Sequence, residues 1–492
     1  MPECSPGRKP GDHAKKLNQA RFSGRQKMGV APKLESAIHG KAKPYRTSGG
    51  RAASEGAESQ TWKLITMKLT ESFRYFLPLL LLVMPCSAPA QTPQAWLTDP
   101  DRAKFELLRT AGFEALSNLD YETARKNFKE IARLFPNYPA GPQFLADTLW
   151  IETLYRTRRL QSSLYDSDSF YSENEDKADP KTVDQFRTWM REAKQLAQAR
   201  LKQYPRDAEA LYFLGATEGL KASFEEAVER RHFAALKDGS NAVDRHREVI
   251  KIDPSFHDAE ITIGLYDYVV GALPLPQKII AGVVGFHGSK KRGLATLERV
   301  AKEGNWVRDD AKTLLIVLYT REKRFAETAA MARELGAKYP RNYLYRLEAA
   351  DALVSQAALE RGANHGTGSN ASESEAFATF EALLRDKTVR ETAAPAFDLI
   401  HFKYGEALFT AGHFDRAAKE FLASANSPGA QEGLATMAHL YAAHSLDLAG
   451  KRNDALAQYR AVLTRPRVYD AHDQAQSGLK EPFKRKGSEA RP

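Results

Sequence analysis

The segment Gly285-Phe286-His287-Gly288-Ser289-Lys290-Lys291 comes nearest to a chemical motif in this chain. A phosphate cradle needs Lys directly after the second Gly and Ser or Thr after that, so that backbone N–H groups and an ammonium converge on phosphate oxygens. Here Ser289 intervenes and no strand-like run precedes, so the segment reads as a basic turn. His439 and His444 share one helical stretch, but a spacing of five puts them on different faces, where a metal pair wants three or four. The acidic run Asp166, Asp168, Glu173, Glu175 and Asp176 lacks the central Gly and closing Glu of a calcium loop, and reads as a solvated charge run. The pairs Glu225-Glu226 and Asp309-Asp310 are adjacent on predicted helices and diverge, which is wrong for an acid–base partnership. There is no G-x-S-x-G and no H-E-x-x-H, and the two cysteines are Cys4 and Cys86. The expectation is therefore no catalytic residue, no cofactor and no metal.

The elements that would position any site are legible in a recurring spacing. Gly112, Ala124 and Phe128 stand twelve and then four residues apart, and so do Gly405, Ala417 and Phe421, and Ala443, Ala455 and Tyr459. A unit near 34 residues with this pattern describes two helices that cannot bury their apolar faces alone and must stack on neighbours. Pro136 ends the first unit, since proline cannot continue the helical ladder; Pro428 and Pro466 do the same one place early in the last two. His401 and His439 fall at equivalent places in successive units, which favours core histidines.

These residues resemble tetratricopeptide repeats. The first unit carries Leu108, Gly112, Tyr121, Ala124, Phe128 and Pro136 at the family's spacing, and the unit around Gly405 is the clearest. The middle units are irregular. A helix is expected from about 183 to 204, then a long helix A of about 25 residues opening at Leu211 and running through Ala227 and Ala235, with its helix B only at 241–252. Further units are marked by Leu314, Tyr319, Phe325 and Leu335, with Thr328 in place of the small Ala, and by 343–360 with 373–385. The links 162–180 and 361–372 read as polar insertions, the second a mobile loop. No stretch alternates with period two. The fold class expected is all-α: a solenoid of about seven helix pairs in a right-handed superhelix, with no sheet, over residues 91–468, and a polar tail from 469 to 492 that frays.

One stretch invites a second comparison. Gly264, Leu273-Pro274, Lys278-Ile279, Gly285-Phe286, Gly288, Gly293-Leu294 and Leu297 are similar to the central part of the Iml2 / tetratricopeptide-repeat-39 family. The likeness covers about 40 residues and implies shape, an irregular helix pair with a tight turn, and no chemistry.

Charge bears on the partner. The chain of 492 residues has a net charge of +10, but residues 1–66 hold 13 Lys/Arg against 5 Asp/Glu, and residues 91–492 are left with 57 against 56. The body is nearly neutral, which gives no support to nucleic-acid binding. Residues 1–66 are expected to be a disordered basic leader, and the reading frame is expected to begin properly at Met67. Residues 67–90 have the three parts of a secretory signal: Lys68 and Arg74, an apolar run from Tyr75 to Met84, and Ala88-Pro89-Ala90, with cleavage near Ala90. That run is too short to span a bilayer, which takes about 20 residues, so no stable transmembrane anchor is expected. A periplasmic or secreted location follows.

The remaining candidate site is a surface. In the family, the A helices line a concave groove, and register places there Glu106, Arg109 and Phe113; Ile261, Leu265 and Tyr268; Leu399, Phe402, Lys403, Glu406 and Phe409; and Leu440, Tyr441, His444 and Asp447. The paired Lys and Asn with which chaperone-binding members grip a C-terminal carboxylate are missing, Phe402 and Glu406 standing in two of those places. An aromatic and apolar groove suits a protein partner presenting an amphipathic helix or extended peptide. The expected function is a non-catalytic scaffold. The alternative is an envelope lipid- or glycan-handling protein, with a membrane-adjacent role, whose segment 269–286 touches the ligand.

Overall fold

The repeated spacing becomes repeated helix pairs. The structure, a computed structural model, describes residues 95–160, 179–283, 285–363, 371–392 and 397–485. Among them are nineteen α-helices and no strand. α1 (Asp99–Ser117) pairs with α2 (Tyr121–Leu134), α3 (Ala140–Arg156) with α4 (Pro180–Gln203), and α5 (Ala208–Ala227) with α6 (His232–Ile252). A fourth unit contains α7 (Glu260–Ala272), the short α8 (Leu275–Val283) and α9 (Lys290–Glu303), with α7 packed on α9. Then come α10 (Arg308–Arg321) with α11 (Phe325–Lys338), and α12 (Tyr343–Ala363) with α13 (Ala371–Arg385). After the connector α14 (Lys387–Thr392), α15 (Phe397–Ala411) pairs with α16 (Phe414–Ala425) and α17 (Glu432–Leu448) with α18 (Arg452–Leu463); α19 (Ala471–Lys480) covers the end. Residues 1–94 and 161–178 lie outside the described residues, and with them the leader, the signal segment and the acidic run.

The spacing works as a notch and a peg. A Cβ on Gly112 would lie 2.3 Å from the Phe128 ring, and one on Gly405 2.8 Å from the Phe421 ring, so each aromatic of helix B fills the space a missing side chain leaves on helix A. Phe128 and Phe421 are fully buried, which stabilises each unit by about 1.5–3 kcal/mol per ring. The turn between the two helices is also repeated. Leu119, Arg230, Lys323, Gly412 and Gly450 all have positive φ, and each stands two residues before the first residue of its helix B. The following N–H reaches back to close helix A: Asp120 to Ala115, Arg324 to Tyr319, His413 to Leu408 and Lys451 to Leu446, each at 2.8 Å. Glycine makes this turn without steric cost in the last two pairs; Leu119, Arg230 and Lys323 bear it elsewhere.

That turn corrects the expected third unit. The long helix A ends at Ala227 because Arg230 adopts the left-handed conformation, and the extra residues lengthen helix B instead, which starts at His232 and buries Ala235. The tail is corrected too. Residues 471–480 form α19, burying Ala471, Ala475 and Gly478, and a Cβ at Gly478 would meet the Tyr459 ring at 2.3 Å. Arg452 fastens it by donating to the Gly478 carbonyl at 2.7 Å. α3 had no sequence signal of its own. It buries most of its surface, Gly141 to Ala146 without a break, so it lacks the two-faced pattern of a surface helix.

The array returns on itself. Arg158, just past α3, pairs with Asp398 on α15 at 3.0 Å across 240 residues, and the two side chains are 7% and 1% exposed. Asn342 donates to the Ser117 carbonyl at 2.8 Å, and Arg341 pairs with Asp120 at 3.2 Å. Trp306 lies 6.0 Å from the Phe105 ring of α1 and 5.9 Å from Tyr212 of α5. Asp398→Ala should cost about 3–5 kcal/mol in chemical denaturation, because it removes the carboxylate that faces a buried guanidinium. Arg341→Ala, at the half-exposed pair, should cost less than about 1 kcal/mol. Equal small losses would show that the buried pair does not hold the array closed.

Candidate functional site

The wall predicted from the A helices is partly core. Tyr268, Phe402, Lys403 and His444 are buried, so their faces are not free along the groove as expected. Tyr268 donates to Glu322 at 2.6 Å. Phe402 meets Phe421 and Tyr441 edge-on. Lys403 is held between Asp351 at 2.9 Å and Glu406 at 2.7 Å; burial pulls its pKa down, and the two carboxylates more than reverse that, keeping it above the ordinary lysine range. Burial raises the Glu406 carboxyl against the opposing pull of Lys403. Arg109 bonds Glu106 at 2.8 Å and stands over the Trp306 ring, while Phe113 packs among Phe128 and Phe144. Arg109 therefore serves the closure described above, whereas Phe113 and Tyr268 pack between neighbouring helices of the array.

The last two units differ. Phe409, Tyr441 and His444 come together, with Tyr441 stacked on Phe421 and 6.3 Å from Phe409. Against this wall lies an extended segment of the chain itself, residues 481–485. The Phe483 ring stacks on His444 at 3.9 Å and 14°, and lies 6.3 Å from Phe409. The Phe483 N–H donates to Asp447 Oδ2 at 2.8 Å. Asp447 is fully buried and also accepts from Tyr459 Oη at 2.8 Å and Arg452 at 2.9 Å. Arg485 donates to the carbonyls of Phe409 at 3.1 Å and Thr410 at 3.2 Å, with its guanidinium over the rings of Phe409 and Phe414. Burial depresses the His444 imidazole to about 4 despite Asp447 and Asp470, so a neutral ring stacks against Phe483 at neutral pH. Burial likewise pushes the Tyr441 hydroxyl up to about 12.

One acid escaped the sequence reading. Burial, then the charge of Asp310, pushes the Asp147 carboxyl of α3 up to about 7. Asp309 turns away toward Lys338 and Tyr339, as the expected divergence requires. Nothing in the local sequence marks Asp147, because its neighbour in space is 163 positions away. No group of three His, Cys, Asp or Glu among the described residues could hold a metal ion. A polar cavity of about 250 Å³ lies between Asp120, Arg125, Glu152 and Arg341, but its cations are already paired, Arg125 with Glu122 and Glu152, and Arg341 with Asp120.

The chain is a TPR-like helical-repeat protein. Solved structures similar to it include a human IFIT1 dimer with m7Gppp-AAAA (13% identity, 78% of this chain and 87% of that one, TM-score 0.40) and yeast Tom70 (10%, 85% and 93%, 0.34). A tetratricopeptide repeat protein from Parabacteroides merdae is also similar (13%, 68% and 99%, 0.27). No family model and no curated protein matches the chain. No helix of the described residues is long and apolar enough to cross a membrane.

Asp147 supplies a pH test. Its carboxyl titrates near 3.8 when unfolded and near 7 when folded, so the folded protein holds the extra proton between those values. Its contribution is full below about 4 and is lost as pH rises through 7. Asp147→Asn should therefore raise the urea midpoint at pH 8 and leave it unchanged at pH 4; the opposite order would place the carboxyl elsewhere.

Proposed function

We propose that this chain is an exported, non-catalytic scaffold that holds a protein partner, as an extended peptide, along the A helices of its last two units. The observation that carries the reading is the segment 481–485, seated on the wall of Phe409 and His444 in the extended form such a partner would take. A main-chain N–H captured by a carboxylate and side chains received by aromatic faces are the ordinary means of peptide recognition. Of the residues expected to bind a partner, Phe409, Tyr441 and His444 are proposed for that role; Arg109 packs on Trp306 at the closure, Phe402, Lys403 and Glu406 lie behind or beside the wall, and Phe113 and Tyr268 pack between neighbouring helices. Export rests on the signal-like pattern of residues 67–90.

The lipid-handling alternative is favoured by one observation. Leu275, Ile279 and Val283, four residues apart on α8, are 72%, 60% and 83% exposed and form an apolar stripe beside Lys278. Such a stripe suits the surface of a bilayer.

Displayed libraries of random linear peptides decide between them. A chain ending at Lys480 should enrich peptides that a synthetic 481–492 segment competes off. Failure to enrich any, together with flotation of the full chain on lipid vesicles, would favour the lipid reading. N-terminal sequencing of the native protein should begin at Gln91; a start within residues 1–66 would refute export.

A further inference from the structure

The wall of the last two units reads two side chains of an extended strand and ignores the ones between. Phe483 and Arg485 are half-buried against it, whereas Pro482 and Lys484 are exposed, the alternation of an extended backbone. Each contact has a selective basis. His444 offers a flat ring face at 3.9 Å, which an aliphatic side chain would use poorly. Asp447, its other oxygen bonds committed to Arg452 and Tyr459, presents Oδ2 to the N–H of the aromatic residue and so sets the register. Two residues on, the Phe409 and Thr410 carbonyls lie in the last turn of α15, where the helix end carries partial negative charge. The rings of Phe409 and Phe414 flank the same guanidinium. A planar cation that stacks and donates in its own plane suits that place better than an ammonium.

The segment is not held as tightly as a helix would be. α19 anchors it through Arg452 on the Gly478 and Leu479 carbonyls; among the described residues beyond Lys480 it is attached by the Phe483 and Arg485 contacts and one backbone bond from Glu481 to Ser477. A tethered segment of this kind competes at an effective concentration in the millimolar range. Resting on the scaffold reading above, we propose that residues 481–485 are an internal stand-in for the partner. The partner is an extended peptide with an aromatic residue followed two places later by Arg, and it must displace the tail to bind. Self-occupancy keeps the wall closed to weak ligands and opens it to a strong one.

The test uses the full chain and a labelled synthetic peptide of residues 480–488 (Lys-Glu-Pro-Phe-Lys-Arg-Lys-Gly-Ser). The double variant Phe483→Ala/Arg485→Ala, which empties the wall, should bind it at least ~10-fold tighter than the unaltered chain by fluorescence anisotropy. Arg485→Glu alone serves as the milder second variant should the double one lose its helical circular dichroism. Replacing the peptide's Phe by Ala, or its Arg by Lys, should each weaken binding ~10-fold, while replacing the Pro or the intervening Lys changes it less than ~2-fold. If doubly replaced peptides bind as well as the parent, the aromatic-and-arginine pattern is wrong although the wall still holds peptides. If no peptide binds either variant, while library peptides bind the shortened chain, the tail is not a stand-in. If the unaltered chain exchanges tails between copies, seen as concentration-dependent dimers lost in the double variant, the occupant is a second copy and the proposal is overturned.

Discussion

A buried guanidinium and carboxylate decide which part of this solenoid stays available. Arg158 and Asp398 join the second unit to the seventh, and Asp398 spends its remaining capacity on the N–H of Gln431 at 3.0 Å and of Leu399 at 2.7 Å. An ion pair so enclosed gains little net free energy over a well-packed apolar contact, yet it tolerates no other register, because either charge left alone in that site is costly. With the array closed there, Trp306 covers Phe105 and Arg109, and the inner wall of the early units becomes interior. Beyond the closure α15 and α17 run side by side, and residues 481–485 lie against them.

This division explains the electrostatics. Inside the closed part, Asp147 holds a raised pKa because burial and then the like charge of Asp310 oppose ionisation. Lys403, near the junction, has two carboxylates and is held in its charged form. Against residues 481–485 the neutral His444 and buried Asp447 divide the work, the one receiving the Phe483 ring and the other fixing its backbone. Charge there is used for register, and apolar contact for occupancy.

Local rules were legible and long-range ones were not. Gly112 with Phe128 and Gly405 with Phe421 meet as their spacing implies. His401 and His439, expected as core histidines, bond Glu420 and Gln458, each nineteen residues on, at 2.7 and 2.8 Å; His439 is buried, whereas His401 keeps a 24% exposed side chain. The break at Arg230 was missed because its turn carries no glycine, although the same turn occurs at Leu119 and Lys323. α19 was missed because it is polar on most faces and buries only small residues. Closure was invisible for a deeper reason: Arg158 and Asp398 are unremarkable in their own neighbourhoods, and only superhelical winding brings them together. Of the residues that register put on the groove, Tyr268, Phe402, Lys403 and His444 are buried, because neighbouring helices or the chain's own tail cover them.

The account turns on whether the wall of α15 and α17 holds a peptide in solution, and the most direct reading is hydrogen exchange at the Phe483 amide. Its N–H is donated to a buried carboxylate at 2.8 Å, so exchange in the full chain should be at least ~10-fold slower than in a free peptide of the same sequence, given the energy of a charge-assisted bond. Exchange at the free-peptide rate would mean that the segment is not seated there and that the wall has no demonstrated occupant.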